Sequence, residues 1–162
     1  MKKVYLAGRL FNAGERLHNL YLEKHLTQIG YEVILPQREA LKYFNGDGFD
    51  LAGVVNSCIK DCANEKNIFV GCVDGSDADS GTSVEYGVAI VSARRAIIYR
   101  TDFRTAFDKE LGINAMFNAK GTVIIYEPCF FTELEQVDSY YHELADRIHC
   151  AISDLVTERK SV

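Results

Sequence analysis

The chain has 162 residues, of which 48% are hydrophobic and 25% are charged, and its formal net charge is −5 at pH 7. This composition is typical of one globular domain with its own core, so we expect a single domain over residues 1–162. The negative charge argues against nucleic-acid binding, which depends on lysine and arginine side chains that neutralise phosphates. The apolar run before Arg9 is too short for a signal-peptide core or a membrane span, so we expect a cytoplasmic protein that acts on small molecules, away from the membrane.

Short apolar runs predict five strands, at residues 3–7, 31–35, 67–73, 95–100 and 121–126. Helical patterns separate or follow them, and the first helix is expected to end at Gly30. This alternation predicts an α/β fold: a three-layer, flavodoxin-like (Rossmann-like) domain with a parallel sheet of about five strands in the order 2-1-3-4-5. The first and third strands are neighbours in that order, so Tyr5 and Glu85 are expected to meet.

Residues 37–50 break the alternating pattern with aromatic side chains set among turn-forming residues. We interpret this segment either as a mobile loop that covers a planar ligand or as an ordinary connection with exposed aromatics. Residues 50–64 then predict a helix that leads into the buried third strand.

The most informative segment is the acidic, glycine-bearing stretch from Asp74 to Ala89, which follows the third strand and opens a helix. Ligands bind at such carboxyl strand ends in open α/β sheets. Ser80 and Thr82 are the predicted helix caps, and Glu85 is expected near the helix N-terminus, where the helix dipole favours the ionised carboxylate. Two interpretations stay open: Glu85 is a nucleophile, or it is the second member of a capping box with Thr82.

The cysteine and histidine pattern gives little support for a metal site. The five cysteines form no C-x-x-C motif, and Cys58 and Cys62 lack histidines at ligand spacing, so buried thiols that act as small hydrophobes are the preferred interpretation. Residues 8–14 match neither a dinucleotide fingerprint nor a P-loop. We therefore expect no metal and no organic cofactor.

Several segments together resemble the nucleoside 2-deoxyribosyltransferase family. The segment Asp79-Ser-Gly-Thr-x-x-Glu85-x-Gly-x-Ala89 resembles the family signature, and so does Val4-Tyr-Leu-Ala-Gly8-x-Leu-Phe11. Weaker matches are Asp102-x-Arg104 and Ile113-Asn-x-Met116. They occur in the family's order and span most of the chain.

The resemblance implies an enzyme that exchanges the base of 2′-deoxyribonucleosides, in nucleotide salvage, through a covalent deoxyribosyl-glutamate intermediate. It implies that Glu85 is the nucleophile, that Tyr5 hydrogen-bonds it and that Asp79 binds sugar hydroxyls. It also implies a homo-oligomer in which Asn114 crosses a subunit interface. The proton donor to the leaving base is not assigned, and its candidates are Asp50, Asn56 and Asp74. The full set of substrate-binding candidates is Gly8, Arg9, Phe11, Asp50, Asn56, Asp74, Gly81, Asn114 and Met116.

Arg9 motivates an alternative, because an arginine at the end of the first strand could hold a 5′-phosphate by charged hydrogen bonds. The protein would then be an N-glycosidase that hydrolyses 2′-deoxynucleoside 5′-monophosphates. A third interpretation is a nucleotide-binding sensor without catalysis, against which the presence of both Tyr5 and the Glu85 segment argues.

Overall fold

The structure is a computed structural model that describes residues 2–104 and 112–158. Within these residues five strands form one sheet in the order 2-1-3-4-5, and all neighbouring pairs are parallel. The strands are β1 (Lys3–Ala7), β2 (Glu32–Ile34), β3 (Asn67–Cys72), β4 (Ala96–Arg100) and β5 (Thr122–Tyr126). The predicted fold class, parallel sheet and strand order are therefore confirmed.

The α-helices in the described part of the chain are α1 (Ala13–Ile29), α2 (Pro36–Glu39), α3 (Leu51–Ala63), α4 (Ser80–Ala93) and α5 (Glu135–Glu158). Two short 3-10 helices cover Ala40–Tyr43 and Ala115–Phe117. As predicted, α1 ends at Gly30, which has φ +111° and donates its N–H to the carbonyls of Leu26 and Thr27. A left-handed conformation at a helix end favours glycine because it has no Cβ.

Two apolar cores lie on the two faces of the sheet, because successive strand residues point to opposite sides. Val4 and Leu6 belong to the core beneath α1 and α5, whereas Tyr5 and Ala7 belong to the core beneath α3 and α4. This alternation directs the Tyr5 side chain towards the face that carries Glu85.

Two local predictions differ from the structure. Pro36 does more than end a strand: it occupies the first turn of α2, where its missing N–H has no intrahelical acceptor to lose. Residues 37–50 are therefore partly helical rather than one long loop. In the rest of this segment, Phe44 and Phe49 form an isolated antiparallel β-bridge.

The cap of α4 also differs, because its N-cap is Asp79 rather than Ser80 or Thr82. Its buried face carries Tyr86, Ala89 and Ala93, while Val84 and Val91 are 59% and 80% exposed. Val84 and Val91 therefore lie on an outward face of α4.

Candidate active site

The site lies at the carboxyl ends of β1 and β3, which are neighbours in parallel register with Tyr5 opposite Phe69. The Tyr5 hydroxyl donates a hydrogen bond to Glu85 Oε1 at 2.6 Å. Tyr5 is 1% exposed, and its ring stacks on that of Phe69 at a centroid distance of 6.2 Å. The hydroxyl is thus fixed by the sheet, and it holds the carboxylate that α4 presents.

Glu85 faces a cavity of about 210 Å³ between the β1 end and the helices α3 and α4. We call it the Glu85 cavity. It is lined by Gly8, Leu10, Phe11, Pro36, Ala40, Val54, Cys58, Asp79, Gly81, Thr82 and Glu85. Apolar walls with a few convergent polar groups are typical of small-molecule sites.

Burial raises the pKa of Glu85 above that of an ordinary glutamate, and the nearby charge of Asp79 raises it further. The hydrogen bond from Tyr5 opposes this shift, because it favours the ionised carboxylate. The sequence predicted that the helix N-terminus would favour ionisation. Glu85 is, however, the sixth residue of α4 and lies in its second turn, beyond the reach of the helix dipole, so burial dominates instead.

The Tyr5 hydroxyl stays protonated in this setting. Burial raises the pKa of Tyr5 well above its usual range, and the adjacent Glu85 charge adds to the shift. A protonated phenol is a hydrogen-bond donor, so the pair is matched as donor and acceptor.

Asp79, which is the N-cap of α4, also lines the Glu85 cavity. Its Oδ2 accepts a hydrogen bond from the Thr82 N–H at 3.0 Å. Within residues 2–104 and 112–158, its Oδ1 accepts no hydrogen bond. Asp79 therefore combines a structural contact through one oxygen with a second oxygen that is available to a ligand.

Five of the predicted site residues line the Glu85 cavity. They are Gly8, Phe11, Asp79, Gly81 and Glu85. Tyr5 does not line the cavity but hydrogen-bonds Glu85. Phe11 is 78% exposed and stands at the cavity mouth.

Arg9 and Asp74 line a different site, which we call the Asp74 cleft. It consists of two adjoining cavities of about 210 and 430 Å³ on the α1 side of the sheet. Arg9 donates to the Asp77 carbonyl at 2.7 Å, and its guanidinium packs on Gly75, where a Cβ would approach within 2.5 Å. The Arg9 side chain is thus directed away from Glu85.

Both carboxylate oxygens of Asp74 accept hydrogen bonds from the residues that follow β4. Its Oδ1 accepts from the N–H groups of Thr101 and Asp102 at 2.6 and 2.9 Å, and its Oδ2 accepts from the Thr101 hydroxyl. These bonds tie the ends of β3 and β4 together.

The remaining predicted residues lie outside both cavities. Asp50 caps α3 by accepting from the Gly53 N–H, and Asn56 is exposed on the same helix. Asn114 accepts from the Met116 N–H at 3.0 Å and so caps a 3-10 helix, and Met116 is 80% exposed. None of the three candidate proton donors lines the Glu85 cavity.

The sequence reasoning missed Cys58, which lines the cavity beside Glu85. A signal was present, because Val54 and Cys58 are one turn apart on a predicted helix and therefore share a face. Cys58 was interpreted as a small hydrophobe, and its place in the cavity wall was not predicted. All five cysteines are free thiols.

Within the described ranges, the structure contains no group of three or more His, Cys, Asp or Glu side chains that could hold a metal ion. It also contains no helix there with both the length and the apolar character needed to cross a membrane.

The fold and the cavity together define a small-molecule site at the carboxyl edge of a doubly wound parallel sheet, with a carboxylate suited to nucleophilic attack. The model of the nucleoside 2-deoxyribosyltransferase family matches residues 4–122, so the chain belongs to this family. Membership supports glycosyl transfer on nucleosides at the level of the family. No curated protein matches the chain.

Two solved structures share the fold. A conserved protein from Enterococcus faecalis V583 superposes with a TM-score of 0.60 at 18% identity, covering 88% of this chain and 98% of that one. A 2-deoxyribosyltransferase from Bacillus psychrosaccharolyticus superposes with a TM-score of 0.60 at 20% identity, covering 85% of this chain and 91% of that one.

Proposed function

We propose that the protein exchanges the base of 2′-deoxyribonucleosides, with Glu85 as the nucleophile that carries the deoxyribosyl group. The observation that carries this proposal is the 2.6 Å hydrogen bond from Tyr5 to Glu85 Oε1 at the edge of a ligand-sized cavity. A capping role for Glu85 is not needed, because Asp79 already caps α4.

In the first step a Glu85 carboxylate oxygen attacks the anomeric carbon C1′, and the bond from C1′ to the base nitrogen breaks. The bonding electrons leave with the base, which takes a proton as it departs. In the second step a nitrogen of another base attacks C1′ and loses its proton. The C1′–oxygen bond breaks as the new bond to nitrogen forms, and the Glu85 carboxylate is restored. Two displacements return the original stereochemistry.

The other groups in the cavity divide the remaining work. The oxygen of Asp79 that does not cap the helix accepts a sugar hydroxyl, and Phe11 at the mouth offers an aromatic face to the base. None of Asp50, Asn56 and Asp74 is placed to protonate the leaving base within one chain, and we assign that proton to none of them.

A second copy of the chain completes the site in this proposal. The cavity of about 210 Å³ is smaller than the ~300–1,000 Å³ of typical ligand pockets, so one chain encloses part of a nucleoside. Asn114 and Met116 are both exposed, and the outward valines Val84 and Val91 give α4 an apolar face to bury. We propose a homo-oligomer in which Asn114 reaches the Glu85 cavity of its neighbour.

Subunit mixing tests this shared site. Glu85→Ala and Asn114→Ala should each be inactive alone, and mixed oligomers should regain part of the activity because some sites then hold both intact residues. Light scattering should show an oligomer. A monomer at working concentration, or no recovery on mixing and exchange of subunits, would contradict the shared site.

Hydrolysis of 2′-deoxynucleoside 5′-monophosphates has less support, because Arg9 lines the Asp74 cleft rather than the Glu85 cavity. The proposed cellular role is nucleotide salvage in the cytoplasm, with which five free thiols agree.

Parallel assays of base exchange and base release, on 2′-deoxynucleosides, their monophosphates and ribonucleosides, test the proposed function. We expect exchange on 2′-deoxynucleosides to be fastest, since the ribose 2′-hydroxyl destabilises positive charge that develops at C1′. Release of base from monophosphates without exchange would favour the hydrolase. Binding without either reaction would favour the non-catalytic sensor.

A further inference from the structure

Two separate segments of the chain contribute to the wall of the Glu85 cavity. One is the loop that follows β1, which we call the Phe11 loop (residues 8–12), and the other begins with α2. Their lining residues are Gly8, Leu10, Phe11, Pro36 and Ala40. The strands that precede them, β1 and β2, are parallel neighbours, so both segments leave the same edge of the sheet. The space between them depends on what fixes one against the other.

Asn19 on α1 connects these two segments. Its Nδ2 donates to the Arg9 carbonyl at 2.9 Å and to Gln37 Oε1 at 3.0 Å, so both N–H groups of the amide are used. Its Oδ1 lies 3.6 Å from the position that a Cβ on Gly8 would take. The Asn19 side chain therefore packs directly against the end of β1.

Gln37 completes the connection from the side of α2. It is the second residue of this helix and is buried, and its Nε2 donates to the Arg16 carbonyl of α1 at 3.2 Å. The Phe11 loop, Asn19 and Gln37 are thus joined by hydrogen bonds in series, with α1 as the common support. We call this arrangement the Asn19–Gln37 bridge.

The helix itself gives no reason for an amide at position 19. Asn19 is 3% exposed, and the buried face of α1 also carries Leu22 and Leu26 in the core. Asparagine is less favourable than leucine in a helix, and a buried amide is costly unless it is hydrogen-bonded. The hydrogen bonds that Asn19 Nδ2 donates leave the helix for the Phe11 loop and α2. The amide therefore serves the connection between these segments.

We propose that Asn19 and Gln37 are positioning residues, which fix the Phe11 loop against α2 and so set the width of the space that receives the base. This inference rests on the proposed function, in which Phe11 faces the base. Phe11 is 78% exposed, so the position of its ring follows that of its backbone rather than that of a packed core. Neither Asn19 nor Gln37 is among the residues that line the Glu85 cavity, so the bridge acts on binding rather than on the attack at C1′.

A matched pair of variants separates this role from ordinary stability. Asn67 is 4% exposed and donates to the Asp61 carbonyl at 3.0 Å, but it lies at the amino end of β3, whereas the cavity lies at the carboxyl end. Asn19→Leu and Asn67→Leu each replace a buried amide with an apolar group of similar shape. Gln37→Met removes the connection to α2 and retains the Asn19–Arg9 bond, so it tests the bridge even if Asn19→Leu fails to fold.

Hydrogen-exchange mass spectrometry tests the bridge without reference to any activity. The N–H groups of Phe11 and Asn12 donate to Glu15 Oε2 in the intact loop. Asn19→Leu should speed their exchange at least about threefold, because loss of an anchor lowers the free energy of local opening. Asn67→Leu should leave their exchange much closer to the wild-type rate. Equal exchange of the Phe11 loop in the two variants would overturn the bridge.

The kinetics of base exchange test the positioning role. Asn19→Leu should raise KM for 2′-deoxynucleosides about three- to tenfold, the effect of one neutral hydrogen bond, with kcat within about twofold of the wild type. The ratio of kcat/KM for purine and pyrimidine substrates should change at least about threefold, because a wider space discriminates less by size. Gln37→Met should shift both quantities in the same direction, and Asn67→Leu should shift neither.

The outcomes separate this inference from the proposed function. If the wild-type protein exchanges bases and Asn19→Leu and Gln37→Met match Asn67→Leu in KM and in base preference, the positioning role is wrong and the proposed function stands. If no 2′-deoxynucleoside supports base exchange, the proposed function and the positioning role fail together. Hydrogen exchange still decides in that case whether Asn19 holds the Phe11 loop.

Discussion

Two carboxylates near the end of β3 illustrate how differently one edge of a sheet uses the same chemical group. Asp74 accepts three hydrogen bonds from Thr101 and Asp102 and fastens β3 to β4. Glu85 is held by Tyr5, faces a cavity and has a pKa raised chiefly by burial. A carboxylate that is fully satisfied stabilises the fold, whereas one that is buried with few donors is poised to react.

The largest expected effect is the loss of base exchange when Glu85 is replaced. Glu85→Ala should lower base exchange by at least about 10³-fold, because removal of a covalent nucleophile eliminates the two-step route. The variant should still fold, since Asp79 rather than Glu85 caps α4. Exchange kinetics and circular dichroism measure the two properties. Near-normal exchange by the folded variant would remove Glu85 from the mechanism.

Asp74 should show the opposite behaviour. Asp74→Ala leaves two backbone N–H groups without their acceptor and should lower the free energy of unfolding by about 2–4 kcal/mol. Asp74→Asn keeps an acceptor oxygen at the same place and should cost under about 1 kcal/mol. Urea unfolding of both variants measures this difference. If Asp74→Asn were as damaging to exchange as Glu85→Ala while remaining stable, Asp74 would belong to the active site.

Tyr5→Phe tests the donor that distinguishes Glu85 from Asp74. A hydrogen bond to a charged group contributes about 1.5–3 kcal/mol, so kcat/KM should fall roughly 10- to 100-fold. The Tyr5 bond lowers the pKa of Glu85, and its loss should therefore move the acid limb of the pH profile to higher pH.

Tyr86→Phe is the matched control for this variant. Its hydroxyl lies 2.7 Å from the Thr122 hydroxyl rather than at Glu85, so the pH profile should keep its wild-type position. Equal profiles for Tyr5→Phe and the wild type would show that the bond does not govern ionisation of Glu85.

A smaller effect is expected on stability. Burial raises the folded-state pKa of Glu85 above its unfolded value, so its contribution to stability is fully present below the unfolded value of ~4.3 and is lost as the pH rises through the folded pKa. Glu85→Gln stays neutral and should melt a few °C above the wild type at pH 7, since ~1 kcal/mol corresponds to about 2–4 °C for a chain of this size. The difference should vanish near pH 4.

Exposed Glu143 on α5 supplies the control for the melting experiment, because Glu143→Gln should leave the melting temperature almost unchanged at both pH values. A destabilised Glu85→Gln variant at pH 7 would mean that the ionised carboxylate supports the fold, as it does at Asp74.

The sequence was sufficient for the sheet order and for the meeting of Tyr5 with Glu85, because apolar runs, Gly30 and strand alternation act locally and repeat along the chain. The sequence alone could not identify the N-cap of α4, because Asp79, Ser80 and Thr82 all have side chains that cap helices well and the tertiary structure determines which one does so. It also could not separate the Glu85 cavity from the Asp74 cleft. Side chains that leave the same strand ends turn to different faces of the sheet, as Arg9 does.

Covalent trapping tests the central claim most directly. A 2′-fluoro-2′-deoxynucleoside destabilises positive charge at C1′ and should slow breakdown of the glycosyl-enzyme enough for detection by intact-protein mass spectrometry. Trypsin releases residues 67–94 as one peptide that contains Asp74, Asp79 and Glu85, and fragmentation locates the adduct among them. We expect one deoxyfluororibosyl group on Glu85 and none in Glu85→Gln. An adduct on Asp74 or Asp79, or steady turnover of the analogue by Glu85→Gln, would contradict it.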